Sequence, residues 1–305
     1  MRSQAHVKYQ FIEMKIAESE LMLNADGSIY HLNLKPENIS DTIIFVGDQD
    51  RVGRITKHFD TVEFTTQKRE FRTETGIYKG KRLTVISTGI GPDNIDIVLN
   101  ELDALVNIDL DKRIAKKKLT SLNIIRVGTS GALQKDIPVG AFLASSFALD
   151  LNGMLHAYPT EAIARPEIED AFIKHTAWSP RKSRPLVISG DEKLRDFFND
   201  SGIYHGVTAT AGGFYGPQGR VLRLPLQDPG LNRKIDSFAH GELKITNLEM
   251  ETSAIYGLSG LLGHRAISLN AIIANRANGT FAEHPKKIVE DLITYTLEKV
   301  IGIPD

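Results

Sequence analysis

An arginine stands inside an apolar run in IIRVGTSGA (residues 124–132), just before a Gly-Thr-Ser-Gly turn. A buried guanidinium without a partner is strongly disfavoured, so Arg126 must meet either a structural carboxylate or a bound anion. Both readings stay open. A planar guanidinium makes bidentate, charge-assisted bonds to phosphate, and the Thr129 hydroxyl with the turn N–H groups would add donors. GDQDR (residues 47–51) offers a second cation beside a glycine. Gly47 lets backbone approach a ligand closely, and Arg51 follows within one helical turn. By itself this is equally a strand-to-helix turn capped by Asp48 or Asp50. NLEMET (residues 247–252) sets Glu249 and Glu251 two apart around Met250. On a strand the two share a face, as a surface pair or as a carboxylate gripping both protons of a sugar diol. FYGPQGR (residues 214–220) combines Phe214, Gln218 and Arg220 in a Gly/Pro turn. It is a surface loop, or else a pocket with a ring to stack on, an amide that donates and accepts, and a cation for developing negative charge.

Elements must bring these residues together. Short apolar runs at residues 42–47, 83–89, 124–128 and 141–148 read as strands, three of them ending in glycine. Continuous rather than alternating apolar runs indicate strands covered on both faces. Residues 95–105 carry a helical apolar spacing with Asp93 or Asn94 as N-cap, and residues 286–301 read as a C-terminal helix entered through Pro285. Strands alternating with helices predict an α/β fold with a largely parallel sheet, whose ligands bind at the carboxyl ends of strands. Residues 1–24 read as an N-terminal extension, with a weak helical pattern over 11–23. Residues 25–305 read as one domain, since no linker, repeat or low-complexity tract divides them. The lysine-bearing stretch 107–119 (NIDLDKRIAKKKL) reads as a solvated helix or surface loop.

Composition narrows the chemistry. The 305 residues hold 37 basic and 38 acidic side chains, a formal net charge of -1. That near-balance lacks the electrostatic footprint of a nucleic-acid binder. Cysteine is absent, which excludes disulfides, thiolate metal sites and a cysteine nucleophile. No apolar leader and no membrane-spanning run is visible, so a cytoplasmic protein is expected. STGIGPDN (residues 87–94) begins a dinucleotide fingerprint at Gly89 and Gly91, but Asn94 replaces the third glycine, which fits a nicotinamide enzyme poorly. No Walker A pattern is present.

Taken in order, the motifs resemble those of the nucleoside phosphorylase-I family, in its uridine phosphorylase branch. GDQDRV resembles the GDPxRV phosphate loop, with Gln49 in place of proline. KREF (residues 68–71) resembles HREF, and STGIG and RVGTSGA resemble the family's STGIG and RIGTTGA. FYGPQGR resembles FYPGQER, LEMET resembles YEMES, and IIANR (residues 272–276) resembles VIVNR. The resemblance runs from about Tyr30 to the C-terminus. It implies a single domain with a central mixed β-sheet flanked by helices, assembled as a homodimer or a hexameric trimer of dimers that shares active sites between subunits. It implies no cofactor, with inorganic phosphate as co-substrate. Gly47, Arg51, Arg126 and Thr129 would bind phosphate, joined by Arg69 of a neighbouring subunit. Glu249, Met250 and Glu251 would line the ribose, and His31 would reach a neighbour's ribose 5′-hydroxyl. Phe214, Gln218 and Arg220 would hold the base. Arg126, Glu251, Arg220 and Gln218 would carry catalysis.

Departures from the pattern refine the expectation. Some bacterial members hold a monovalent cation at a serine and a glutamate. Here Glu70 matches the glutamate, but Asn94 stands at the serine position, near Ile90. The stretch 107–119 looks like an insertion. The purine branch has a Ser-Asp pair where this chain has Asn275-Arg276, which favours a pyrimidine base. The implied reaction is phosphorolysis of uridine. The alternatives are a purine or methylthioadenosine phosphorylase on the same scaffold, and a non-catalytic nucleoside-binding protein.

Overall fold

A computed structural model describes residues 15–303. In chain order its elements are β1 (Thr42–Val46), α1 (Gln49–Thr56), β2 (Thr61–Lys68), β3 (Phe71–Tyr78), β4 (Lys81–Ser87), α2 (Pro92–Asn107), β5 (Ile108–Asp109), β6 (Ile114–Ala115), β7 (Asn123–Ala132), β8 (Phe142–Asp150), α3 (Pro166–Thr176), β9 (Leu186–Ser189), α4 (Glu192–Phe197), β10 (Ile203–Thr210), α5 (Leu231–Asp236), β11 (Ala239–His240), β12 (Leu243–Glu249), α6 (Thr252–Leu262), β13 (Arg265–Asn275), β14 (Thr280–Phe281) and α7 (Pro285–Val300). The four apolar runs read from sequence fall in β1, β4, β7 and β8.

One large mixed sheet organises the chain, in the order β11-β12-β10-β8-β13-β7-β1-β4-β3-β2. A further pairing of β12 with β7 closes the ring β7-β13-β8-β10-β12 into a barrel. Strands β1, β4, β7 and β13 run parallel. The seams β13–β8 and β12–β7 are antiparallel. The sheet is therefore mixed, as the family resemblance implies, and less parallel than strand–helix alternation alone predicts. Closure requires contacts between segments more than a hundred residues apart, and local sequence patterns do not encode such pairings.

The continuous apolar strands are explained by cover on both faces. In β1, Ile43 and Phe45 pack with Ile95, Leu99 and Leu102 of α2 and Ile255 and Leu258 of α6. Ile44 and Val46 point the other way, to Val52 and Ile55 of α1 and Leu292, Ile293 and Leu297 of α7. Each such fully buried aliphatic side chain contributes ~1.5–3 kcal/mol, and alternate residues of one strand supply both cores. Phe172 of α3 and Ile235 of α5 pack with barrel residues Leu149, Val207 and Ala209.

Three sequence expectations change. Helix α2 starts at Pro92, with Gly91 as its N-cap at φ 104°, instead of at Asp93 or Asn94. Proline is preorganised for the first helical position, and only glycine readily takes that φ. Residues 108–115 form a small antiparallel hairpin of β5 and β6, neither helix nor plain loop. The described part of the 11–23 pattern, from residue 15 onward, forms turns without a helix, and the rest lies outside the described residues. These two segments meet. Ile16 N–H donates to the Arg113 carbonyl at 2.8 Å, Arg113 Nη1 donates to the Leu21 carbonyl at 2.5 Å, and Leu21 is buried in the α2/α6 core. No helix among the described residues is long and apolar enough to cross a membrane.

Candidate active site

The glycine-ended strands and the barrel seam open onto one cleft of about 1160 Å³. That exceeds the ~300–1,000 Å³ common for a single small ligand, so there is room for two. Its walls include Gly47, Arg51, Glu70, Ile90, Asn94, Arg126, Thr129, Phe214, Gln218, Arg220, Glu249, Met250 and Glu251. Every site residue singled out from sequence lies here except His31 and Arg69.

At one end, backbone turns present cations. The Asp48 carboxylate caps α1 by accepting from Asp50 N–H at 3.0 Å, which fixes the turn that follows Gly47. Arg51, in the first turn of α1, donates from Nη1 to the Val127 carbonyl at 3.1 Å. Burial, then the nearby charge of Arg126, pushes the Arg51 guanidinium down to about 10. Among the described residues Asp48 and Glu251 only partly offset this, and a cation so placed gains from a bound anion. Arg126 rises from β7 beneath it.

In the middle, the two glutamates converge although they sit on different elements. Glu249 is the last residue of β12, and Glu251 is the N-cap of α6. Glu249 accepts from the N–H groups of Glu251 at 2.9 Å and Thr252 at 3.0 Å, and from the Thr210 hydroxyl at 2.7 Å. A carboxylate there offsets the positive end of the helix dipole. Glu251 accepts from Gly91 N–H at 2.9 Å and from Arg126 Nη2 at 2.6 Å. Arg126 Nη2 also lies 3.2 Å from Glu249. Burial opposes the charge on Arg126, but Glu249 and Glu251 outweigh it and hold the guanidinium protonated. Burial likewise raises the Glu251 carboxyl, against the pull of Arg126. The two sequence readings of Arg126 thus meet in one place, since its carboxylate partner is itself a cleft residue.

At the far end, residues 214–220 fold over the cleft. Gln218 is buried and Phe214 is half exposed. Arg220 stacks on the Phe214 ring at 3.8 Å, donates to the Phe214 carbonyl at 2.7 Å, and donates to the Gln218 side-chain oxygen. Arg276 joins this end, and the described residues give its buried Nη1 no partner. Burial, then the charge of Arg220, lowers the Arg276 guanidinium. Its preceding residue is not available for chemistry: the Asn275 amide donates to the carbonyls of Gln134 at 2.9 Å and Ile137 at 2.8 Å. Sequence reasoning named Asn275 and Arg276 only as a departure from a pattern. It missed the β14 side of the cleft, Thr280 and Phe281, because a two-residue strand leaves no periodic signal.

His31 and Arg69 do not line this cleft. The Glu101 carboxylate on α2 accepts from His31 N–H at 3.0 Å and meets its Nδ1 at 2.6 Å. Lys68, next to Arg69, donates to the Tyr30 carbonyl and lies 4.3 Å over the Tyr30 ring. The Arg69 carbonyl accepts from the side-chain amide of Gln49, a residue of the cleft rim, at 3.0 Å. Near Glu70, a monovalent cation would need oxygen ligands. The Asn94 amide nitrogen lies 3.4 Å from the Ile90 carbonyl, so the oxygens in reach of such an ion would be those of the Glu70 carboxylate, the Ile90 carbonyl and the Asn94 side chain.

A mixed sheet closed into a barrel, with arginines, paired glutamates and an amide–guanidinium end meeting in one cleft, is the architecture of this α/β chain. The chain belongs to the Phosphorylase superfamily, whose family profile matches residues 41–298. It is 30% identical over 281 residues to the uridine phosphorylase of Thermococcus kodakarensis, covering 90% of this chain and 87% of that one. It is 26% identical to a DeoD-type purine nucleoside phosphorylase of Listeria monocytogenes, covering 89% and 98%. Among solved structures, a Trypanosoma brucei nucleoside phosphorylase described as showing uridine phosphorylase activity superposes with a TM-score of 0.81. Its sequence identity is 28%, over 93% of this chain and 100% of that one.

Proposed function

We propose that the protein is a uridine phosphorylase, converting uridine and inorganic phosphate reversibly to uracil and ribose 1-phosphate. The observation that carries this reading is the far end of the cleft. Gln218, Arg220, Asn275 and Arg276 line it without a carboxyl group. An acid that protonates a purine leaving group has no side chain there to serve it, while two guanidiniums suit an anionic pyrimidine.

The roles follow from charge. Arg51, Arg126, the Thr129 hydroxyl and the Gly47 turn gather the phosphate dianion beneath C1′. Glu251 and Glu249 accept ribose hydroxyls, with Met250 against the sugar. A phosphate oxygen forms the new bond to C1′ while the C1′–N1 bond breaks and its electron pair leaves on the base. Ribose becomes cation-like and phosphate lies close to it. The base becomes anion-like, and Gln218 and Arg220 are preorganised donors for it. Holding both reactants in line can lower a barrier by ~7–11 kcal/mol in favourable cases. His31 and Arg69, which do not line their own chain's cleft, would complete the cleft of a second subunit in a homodimer or larger assembly. The test is stoichiometric: uracil and ribose 1-phosphate appear together, at equal rates, only when phosphate is present.

A further inference from the structure

We infer that Asn270 is a positioning residue for Arg126, acting through a buried hydrogen-bonded ring that fixes the guanidinium where phosphate must meet it. The inference rests on the phosphorylase reading of the cleft and names a residue outside the cleft wall.

The strand register creates the arrangement. Arg126 lies on β7 and its side chain runs forward along the strand over Gly128, two residues on and therefore on the same face. A Cβ at Gly128 would collide with the Arg126 guanidinium, so only glycine leaves the channel open. On the neighbouring strand β13, Ser268 stands opposite Arg126 and Asn270 opposite Gly128. Asn270 therefore faces the guanidinium across the gap that the glycine leaves. Its Oδ1 accepts from Arg126 Nη1 at 3.0 Å, while its amide nitrogen donates to the Ser268 hydroxyl at 3.3 Å. Ser268 pairs with the Thr252 hydroxyl at 2.8 Å. Thr252 N–H donates to Glu249 at 3.0 Å, and Glu249 returns to Arg126 Nη2 at 3.2 Å. Asn270, Ser268 and Thr252 are each 0% exposed, so no solvent replaces a member that is removed.

The chemistry of the amide matters. Arg126 already faces two carboxylates. A third would surround the guanidinium with negative charge and repel a phosphate dianion. An apolar residue would leave Nη1 buried without an acceptor, which is strongly disfavoured. Asparagine gives Nη1 a fixed direction and adds no charge. In that orientation Nη1 serves Asn270 and Nη2 the glutamates, while Arg126 lines the same cleft as Arg51 and Gly47.

The test measures inorganic phosphate binding to the full-length protein by calorimetry, without nucleoside, alongside uridine KM and Tm. Asn270→Ala is expected to weaken phosphate binding at least tenfold while uridine KM changes less than threefold. Asn270→Asp keeps size and the Oδ1 acceptor, so it separates the effect of added charge from loss of the acceptor, and Tm reports whether each variant is folded. Asn270→Asp is expected to weaken phosphate binding at least as much as the alanine variant, because it adds the third carboxylate. Ser268→Ala, which breaks the ring but leaves the Asn270–Arg126 contact in place, should weaken phosphate binding measurably, though less than Asn270→Ala does. The inference is overturned if folded Asn270→Ala, which removes the Oδ1 acceptor, binds phosphate within twofold of wild type. It is equally overturned if phosphate and uridine affinities fall together in proportion to Tm. A wild-type protein that binds phosphate but does not cleave uridine would refute the substrate reading alone, because the phosphate arm stands without turnover.

Discussion

Arg126 Nη2 lies 2.6 Å from Glu251 Oε2, so the cation expected to meet phosphate is bonded to the carboxylate expected to meet ribose. The two halves of the cleft are therefore electrostatically one unit. Neither residue can be changed without altering the environment of the other.

Replacing Arg126 by alanine should lower kcat/KM by about a thousandfold or more, on the order of 4 kcal/mol. Tm should fall as well, because Glu249 and Glu251 lose a buried counter-ion. Arg126→Ala combined with Glu251→Gln should lose less Tm than the sum of the single changes, since the two groups interact. Steady-state kinetics and thermal melts on the four proteins decide it. Additive Tm losses would contradict the pairing.

Gln218→Ala should reduce kcat/KM for uridine by ~100-fold, as removing one preorganised donor does elsewhere, and leave phosphate affinity within twofold. Gln218 is buried at the far end and also takes the Arg220 hydrogen bond. Equal loss of both affinities in a folded variant would show a structural role instead.

Much of the site was legible because strand-end motifs report local backbone. Asp48 caps α1 as an Asp in GDQDR suggests, and Arg126 stands out as a charge within an apolar strand. The glutamate pair was legible as chemistry but not as geometry. The pair spans the end of β12 and the start of α6, so the shared-face argument for a strand does not describe how they converge. Barrel closure, the β5–β6 hairpin and the Phe281 wall depend on contacts distant in sequence. Asn270 had no signal at all: it lies just outside the IIANR motif, and its partner lies 144 residues away.

Arg51 gives the cleft a pH signature. Its guanidinium is pushed down to about 10 by burial and by Arg126. A cation whose folded value is depressed gives up its proton in the folded state before the unfolded chain does. Between about 10 and the ordinary guanidinium value, the unfolded chain then holds more protons and stability rises with pH. Below that window the charged Arg51 opposes folding, and bound phosphate relieves it. Phosphate affinity should fall up to roughly fourfold as pH rises from 8 to 10.5, although phosphate remains a dianion. Calorimetry across that range reads the change, and a flat profile would contradict the role of Arg51.

Leu21→Ala tests the docked N-terminal segment. Leu21 is 6% exposed against the α2/α6 core, so its truncation should cost ~2–5 kcal/mol. The KM values for uridine and phosphate should stay within twofold, because the cleft lies elsewhere. Denaturant unfolding with parallel kinetics measures both. A change in phosphate KM without loss of stability would tie this segment to the site.

The most direct test is release of free base from uridine, thymidine, inosine and methylthioadenosine by the full-length protein, each with and without inorganic phosphate. The account predicts phosphate-dependent release from uridine, with kcat/KM at least a hundredfold above inosine and methylthioadenosine. Faster cleavage of either purine nucleoside, or release of uracil at the same rate without phosphate, would contradict it.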